Sequence, residues 1–187
     1  MAAATPLAYA LLGLLHQAPR SGYDLRKLFA STPLRHMSDS PGAIYPALRR
    51  LERQGFIAPG GEEGARRRRC FIPTRAGRRA FAAWLALPVT RDDLIDRLDA
   101  VMLRFAFSGE VLGLAAAGSI LAGILEHAGA EVGSLEAFLE SHGPRMPLTG
   151  RMAVEQGVEA YRALARWAGK ALGRLAHGRR PGKEDKR

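Results

Sequence analysis

From Pro6 to His16 apolar residues recur with helical spacing, and Leu7, Leu11, Leu14 and Leu15 fall on one face. The stretch Gln17-Ala18-Pro19-Arg20 breaks this pattern. Ser21 can then cap a second helix running to about Phe29, with Leu25, Leu28 and Phe29 inward and Arg26 and Lys27 outward. Residues 31–39 read as a loop. The third apolar stripe is Ile44, Leu48 and Leu51, at i, i+4 and i+7, and the opposite face carries Tyr45, Arg49 and Arg53 with Arg50 on its flank. Pro46 has no N–H to donate and is tolerated in a first turn, which starts this helix near Gly42 or Ala43. Ser38, Ser40 and Gly42 are its candidate caps, and Gln54-Gly55 its stop. Phe56-Ile57-Ala58 and Cys70-Phe71-Ile72 then read as short strands on either side of a turn at Pro59 to Gly64. Arg66, Arg67, Arg68 and Arg69 lie between that turn and the second strand, at the hairpin tip. Thr74 opens a fourth helix through about Leu87, with Phe81, Trp84 and Leu85 packing back, and Pro88 closes the region.

Beyond Pro88 the pattern is helical throughout. Leu94, Leu98, Val101, Met102 and Phe105 form one stripe. Leu121, Ile124, Leu125, Val132, Leu135, Phe138 and Leu139 form a second, ending before Ser141-His142-Gly143-Pro144. The third runs through Val154, Val158, Tyr161, Leu164, Ala165, Ala168, Leu172 and Leu175. Three amphipathic helices make a thin layer that cannot bury all its apolar faces alone, so pairing with a second copy is expected. The fold class is mainly α: an N-terminal winged helix-turn-helix domain over residues 1–88, a C-terminal α-helical dimerisation domain over 89–176, and a basic tail over 177–187.

Charge sharpens this division. Of a net +10, residues 1–90 hold 14 Lys and Arg against 5 Asp and Glu, or +9; residues 91–176 hold 9 against 11, or −2; the last eleven hold 5 against 2, or +3. The excess sits in the half that carries the arginine-faced helix, as a nucleic-acid footprint should. The single cysteine, Cys70, allows no intramolecular disulfide, which suits a reducing cytoplasm, and reads as a small buried filler. No secretory signal is expected, since the start lacks a basic region and Pro6 interrupts the apolar segment there. The nearest approach to a membrane span, residues 111–125, is broken by glycines and Ser119.

An apolar-backed helix with arginine and tyrosine in front suits a DNA major groove. Its first turn, at Gly42, would present bare N–H groups to a phosphate. Tyr45 would face the groove or a phosphate, or make an edge contact to the wing. Arg49 is the best placed for a base or phosphate, and Arg53 for backbone. Tyr23 and Asp24 are expected to pack rather than touch DNA. The arginines of the wing, Arg66 to Arg69, would lie along phosphates or a minor groove. An enzyme is disfavoured. His16, His36, Asp24, Asp39 and Cys70 fall in no nucleophile elbow, metal-ligand spacing or phosphate loop, so no catalytic residue, metal or cofactor is expected. RNA reading would need more aromatic platform than Tyr45 and Phe71 supply. An adaptor that had lost DNA binding should carry neutral or acidic residues where these arginines stand.

The sequence resembles the PadR-type transcriptional regulators. The resemblance is carried by Leu7-Ala8-Tyr9-Ala10-Leu11-Leu12-Gly13-Leu14-Leu15, Ser21-Gly22-Tyr23-Asp24-Leu25, Ile44-Tyr45-Pro46-Ala47-Leu48-Arg49-Arg50-Leu51-Glu52 and Thr74-Arg75-Ala76-Gly77-Arg78, in the family's order. It spans the first half of the chain, and the second half looks like the longer C-terminal domain of one PadR subfamily. The resemblance implies a homodimeric regulator, usually a repressor, that binds a palindromic operator and often answers to a small aromatic or cationic effector. Separately from the resemblance, Tyr161 and Trp167, about two turns apart on the last helix, are candidates for lining an inter-subunit cavity that holds an aromatic effector, against the plainer reading of both as core. One departure is Phe71, where the family often has tyrosine, which removes a hydroxyl from the wing.

Overall fold

A computed structural model describes residues 5–32, 34, 41–63 and 68–177. The chain divides into two compact units, Met1–Leu87 and Pro88–Arg187. In the first, α1 (Pro6–Gln17) begins at Thr5, whose hydroxyl accepts from the Ala8 N–H, with Pro6 in the first turn. Nearly every side of α1 is covered: Ala8, Ala10, Leu11, Leu12, Leu14 and Leu15 are all buried, more than the single face the spacing predicts. A two-residue strand, β1 (Arg20–Ser21), follows where the sequence suggested only a break. Ser21 caps α2 (Gly22–Ser31) in a reciprocal capping box with Asp24, each side chain bonding the other's backbone N–H.

A short 3-10 turn (Pro41–Ala43) leads into α3 (Ile44–Arg53). Ile44, Leu48 and Leu51 are buried, as their spacing predicts. Pro46 lies in the first turn. The cap is not Gly42 but Ala43, in helical conformation and with no side-chain cap bond, because the preceding turn already winds the chain into the helix. Ser38 and Ser40, the other candidate caps, lie outside the described residues, as does most of the predicted 31–39 loop. The helix ends in a full Schellman arrangement: the Phe56 N–H donates to the Leu51 carbonyl and the Gly55 N–H to that of Glu52, both at 2.9 Å, with Gly55 at φ 71°.

The hairpin is longer than its apolar runs. β2 (Ile57–Glu63) and β3 (Arg68–Pro73) pair antiparallel, and β3 also pairs β1, giving the order β1-β3-β2. Pro59 to Glu63, expected as a turn, are in the strand. Pro59 is admissible because β2 is an edge strand, where a missing N–H costs no ladder bond, and the register shifts between Pro59 and Glu62. Arg68 and Arg69 accordingly belong to β3 rather than to a tip; Arg66 and Arg67 lie outside the described residues. Cys70 is buried opposite Ser21, in keeping with a filler.

Thr74 caps α4 (Arg75–Leu85), which ends two residues short of Leu87. Phe81 and Leu85 are buried, whereas Trp84, expected in the core, is only half-buried and stacks flat on Tyr9 at 4.3 Å. Burial of Tyr9 in this stack raises its phenol pKa above the ordinary value.

The second unit contains α5 (Arg91–Asp96), α6 (Leu98–Val111), α7 (Leu114–His142) and α8 (Leu148–Ala176). The stripe from Leu94 to Phe105 is thus two helices, parted at Arg97 (φ −142°, ψ 32°). Gly113, at φ 89°, separates α6 from α7 within the stretch weighed as a membrane span. Among the described residues no helix is long and apolar enough to cross a membrane. Val89, Leu94, Val101, Ile120, Leu121, Ile124, Ala128 and Ala168 form the core, with Tyr161, Leu164 and Leu172 packed against it. Leu125 and Phe138, assigned to the α7 stripe, are exposed instead, since a 29-residue helix turns part of any loose stripe away from its neighbours.

Candidate nucleic-acid interface

The exposed side of α3 presents Tyr45, Arg49, Arg50 and Arg53. Tyr45, Arg49 and Arg53 follow one another at i, i+4 and i+8, so they form a line along the helix directly behind which Ile44, Leu48 and Leu51 anchor it. Gly42 is exposed in the 3-10 turn ahead of them.

Tyr45 is held by a residue to which spacing alone assigned no part. Gly22, the first residue of α2, is buried, and a Cβ there would stand 2.7 Å from Tyr45 Cε1 and 3.3 Å from Leu48 Cδ1. The missing side chain lets α2 and α3 approach until the tyrosine ring lies over the start of α2. Its neighbour Tyr23 is 43% exposed, not packed inward, with the Arg26 guanidinium 5.7 Å from its ring centre. Asp24, by contrast, is engaged in the capping box and so does pack locally. Tyr23 therefore adds aromatic surface where packing was expected, beside Arg26, which is outward as its place on α2 predicts.

The wing is tied to the helix at both ends. At its base, the Thr74 hydroxyl donates to the Gly55 carbonyl at 2.6 Å and the Thr74 N–H to that of Phe56. Gly77 permits this closeness, since a Cβ there would fall 2.0 Å from the Phe56 oxygen. Higher up, Arg69 forms an ion pair with Glu52 of α3, while its guanidinium carbon sits 5.3 Å from the Phe71 ring centre. Phe71 thus supplies a face for an arginine where a tyrosine would also have offered a hydroxyl. Arg69 is thus anchored on two sides.

Tyr161 and Trp167 are both on α8, but six residues put them about 120° apart around the helix. Tyr161 packs against the core of the second unit, and Trp167, 36% exposed, meets the edge of Phe105 with ring centres 5.6 Å apart. They do not share one helix face. Among the described residues no group of His, Cys, Asp and Glu is arranged to hold a metal ion.

Three helices, a three-stranded sheet whose hairpin flanks the third helix, and a fourth helix closing behind define a winged-helix domain of the DNA-binding kind. Residues 11–83 match the family model described as the transcriptional regulator PadR-like family. This stretch of the chain is thus similar to the PadR-like transcriptional regulators. Among solved structures it is similar to the PadR-like transcriptional regulator BC1756 from Bacillus cereus, at 25% identity over 92% of this chain and 99% of that one, with a TM-score of 0.41. Bacillus subtilis PadR in complex with operator DNA is similar at 23% identity, over 90% and 98% of the two chains, with a TM-score of 0.39. The same B. subtilis protein with p-coumaric acid gives 23% identity over 91% and 99%, with a TM-score of 0.38. No curated protein matches the sequence at a significant level.

Proposed function

We propose that this PadR-like regulator is a cytoplasmic homodimeric repressor whose α3 enters the major groove of a palindromic operator. The observation that carries this reading is the exposed Tyr45-Arg49-Arg53 line on a helix whose opposite face is fully buried. In it Arg49 reads a base edge, Arg50 and Arg53 meet phosphates, Gly42 lets the backbone approach a phosphate, and Arg66 to Arg69 follow the duplex backbone. Two copies place their recognition helices about 34 Å apart, one helical turn of DNA. Exposed apolar residues of the second unit, including Leu148, Met152 and Phe138, supply surface for pairing with a second copy. A small aromatic or cationic ligand relieving repression would meet Trp167, which is partly open, more readily than Tyr161, which is committed to the core.

The test is fluorescence anisotropy on the DNA upstream of the protein's own gene, beside a shuffled duplex, from ~50 to ~200 mM salt, across which a multi-phosphate binder loses orders of magnitude in affinity. Tight, salt-steep binding to the upstream DNA alone is expected. Absence of binding to either duplex at the lowest salt would return the domain to a protein–protein adaptor.

A further inference from the structure

Along α8 the charges change character past the middle of the helix. Up to there each arginine has a carboxylate: Arg151 pairs with Glu155 at 2.7 Å, and Arg162 with Glu159 and with Glu136 of α7. Beyond Glu159 the sequence holds no Asp or Glu until Glu184. Within that span Arg166, Lys170 and Arg174 follow one another at four-residue intervals, all exposed. Among the described residues none of the three is in an ion pair.

The helix alongside offers no counter-charge. α7 and α8 run antiparallel, with Leu135 beside Gly157 and Leu172 beside Gly118. The last turns of α8 therefore lie along residues 114–125 of α7, which include no charged side chain. Glu131 and Asp93, farther off, are engaged, the first with Arg91 and the second with Arg97 and the buried Arg104. Like charges four residues apart repel and weaken a helix, so this line costs α8 stability that its earlier ion pairs preserve.

At about 100° per residue the three cations stay on one face, and the exposed Ala163 and Gly173 fall on that same face. A Cβ at Gly173 would meet nothing within 4 Å. Small residues among the cations let a rigid polyanion come close to the helix. Leu164, Leu172 and Leu175 pack against the core instead, which leaves charge as the feature this face offers a partner.

We propose that the Arg166-Lys170-Arg174 line is a second nucleic-acid surface, which binds phosphates of duplex DNA without reading sequence. The line spans about 12 Å of helix, a length in which a duplex presents about seven phosphate charges. Bound phosphates supply the counter-charge that the protein leaves out and relieve the repulsion along α8. The inference rests on the regulator reading for what brings a duplex to the chain, but its own contribution is read on DNA of any sequence.

The experiment compares the full wild-type chain with two variants by anisotropy, on the upstream DNA and on a long shuffled duplex, from ~50 to ~200 mM salt. One variant combines Arg166→Gln, Lys170→Gln and Arg174→Gln. The other combines Arg145→Gln, Arg151→Gln and Arg162→Gln, which removes the same net charge from the same unit. The first should lower the slope of log affinity against log salt by about two to three on both duplexes, near one for each phosphate no longer neutralised. Its affinity at the lowest salt should fall at least about tenfold. Its melting temperature should equal or exceed that of the wild type, because a repulsion has been removed. The second variant should keep the wild-type slope. Wild-type binding by the first variant, or equal losses in both, would overturn the proposal. Tighter binding of the wild type to poly-glutamate than to the shuffled duplex would also overturn it, in favour of an acidic protein partner. A slope difference that stands without any preference for the upstream DNA would sink the regulator reading and leave this inference in place. Binding of the wild type to neither duplex would overturn both.

Discussion

Arg49 and Arg69 are both exposed arginines beside the recognition helix, yet their surroundings give them different work. Arg49 stands on the open face of α3, whereas Arg69 is fixed between Glu52 and the Phe71 ring. Replacing Arg49 with alanine should therefore cost about 1–3 kcal/mol on the operator and much less on a shuffled duplex, the signature of a base contact. Equal losses on both would make it a phosphate contact. Alanine at Arg67 and Arg68 together should weaken all duplexes alike and lower the slope of log affinity against log salt by about two, near one for each phosphate no longer neutralised. Anisotropy across the salt range separates the two behaviours. Glu52 carried no expected role because, in the sequence, it is one more charge on a helix flank; only the return of β3 brings Arg69 to it.

At the scale of elements, glycines decide how closely the parts of the interface approach. Gly22→Val would drive a side chain into the Tyr45 ring, which must move because the first added carbon already lies 2.7 Å from it. Operator affinity should fall several-fold while the melting temperature drops modestly, since a ring edge yields more cheaply than backbone. Gly77→Ala should do the reverse kind of damage. Its Cβ would meet the Phe56 carbonyl oxygen at 2.0 Å, so the α4 start must separate from the hairpin base. A loss of at least about 1–3 kcal/mol in chemical denaturation is expected. Helices α1 to α4 were legible because apolar spacing and breakers agree over each of them, with caps adding to this for α2 and α4. The hairpin was only half legible. Pro59, Gly60 and Gly61 are turn residues by propensity, but Pro59 pairs with Phe71 on an edge strand, Gly60 and Gly61 fall in the register shift before Glu62 resumes the pairing, and Gly60 leaves room for Ile72, which a Cβ would meet at 2.5 Å.

For the whole molecule, the proposed dimer predicts that sedimentation of the 20.2 kDa chain gives twice the monomer mass at micromolar concentration. A monomer there would leave only one recognition helix per particle and remove the geometric basis for a palindromic operator. What the sequence by itself determined was whatever depends on neighbours in the chain: the buried stripe and arginine face of α3, the glycine that ends it, the capping of α2 and α4, and the concentration of positive charge in the first half. These arise from helical periodicity and local hydrogen bonding, which need no distant partner. Tertiary structure alone decided the closeness of Gly22 to Tyr45, the pairing of Glu52 with Arg69, the parting of Tyr161 from Trp167 in their contacts, and the burial of Arg104. Each of those depends on which segments far apart in sequence come to lie together, and a one-dimensional pattern holds an arginine destined for burial and one destined for solvent in the same form.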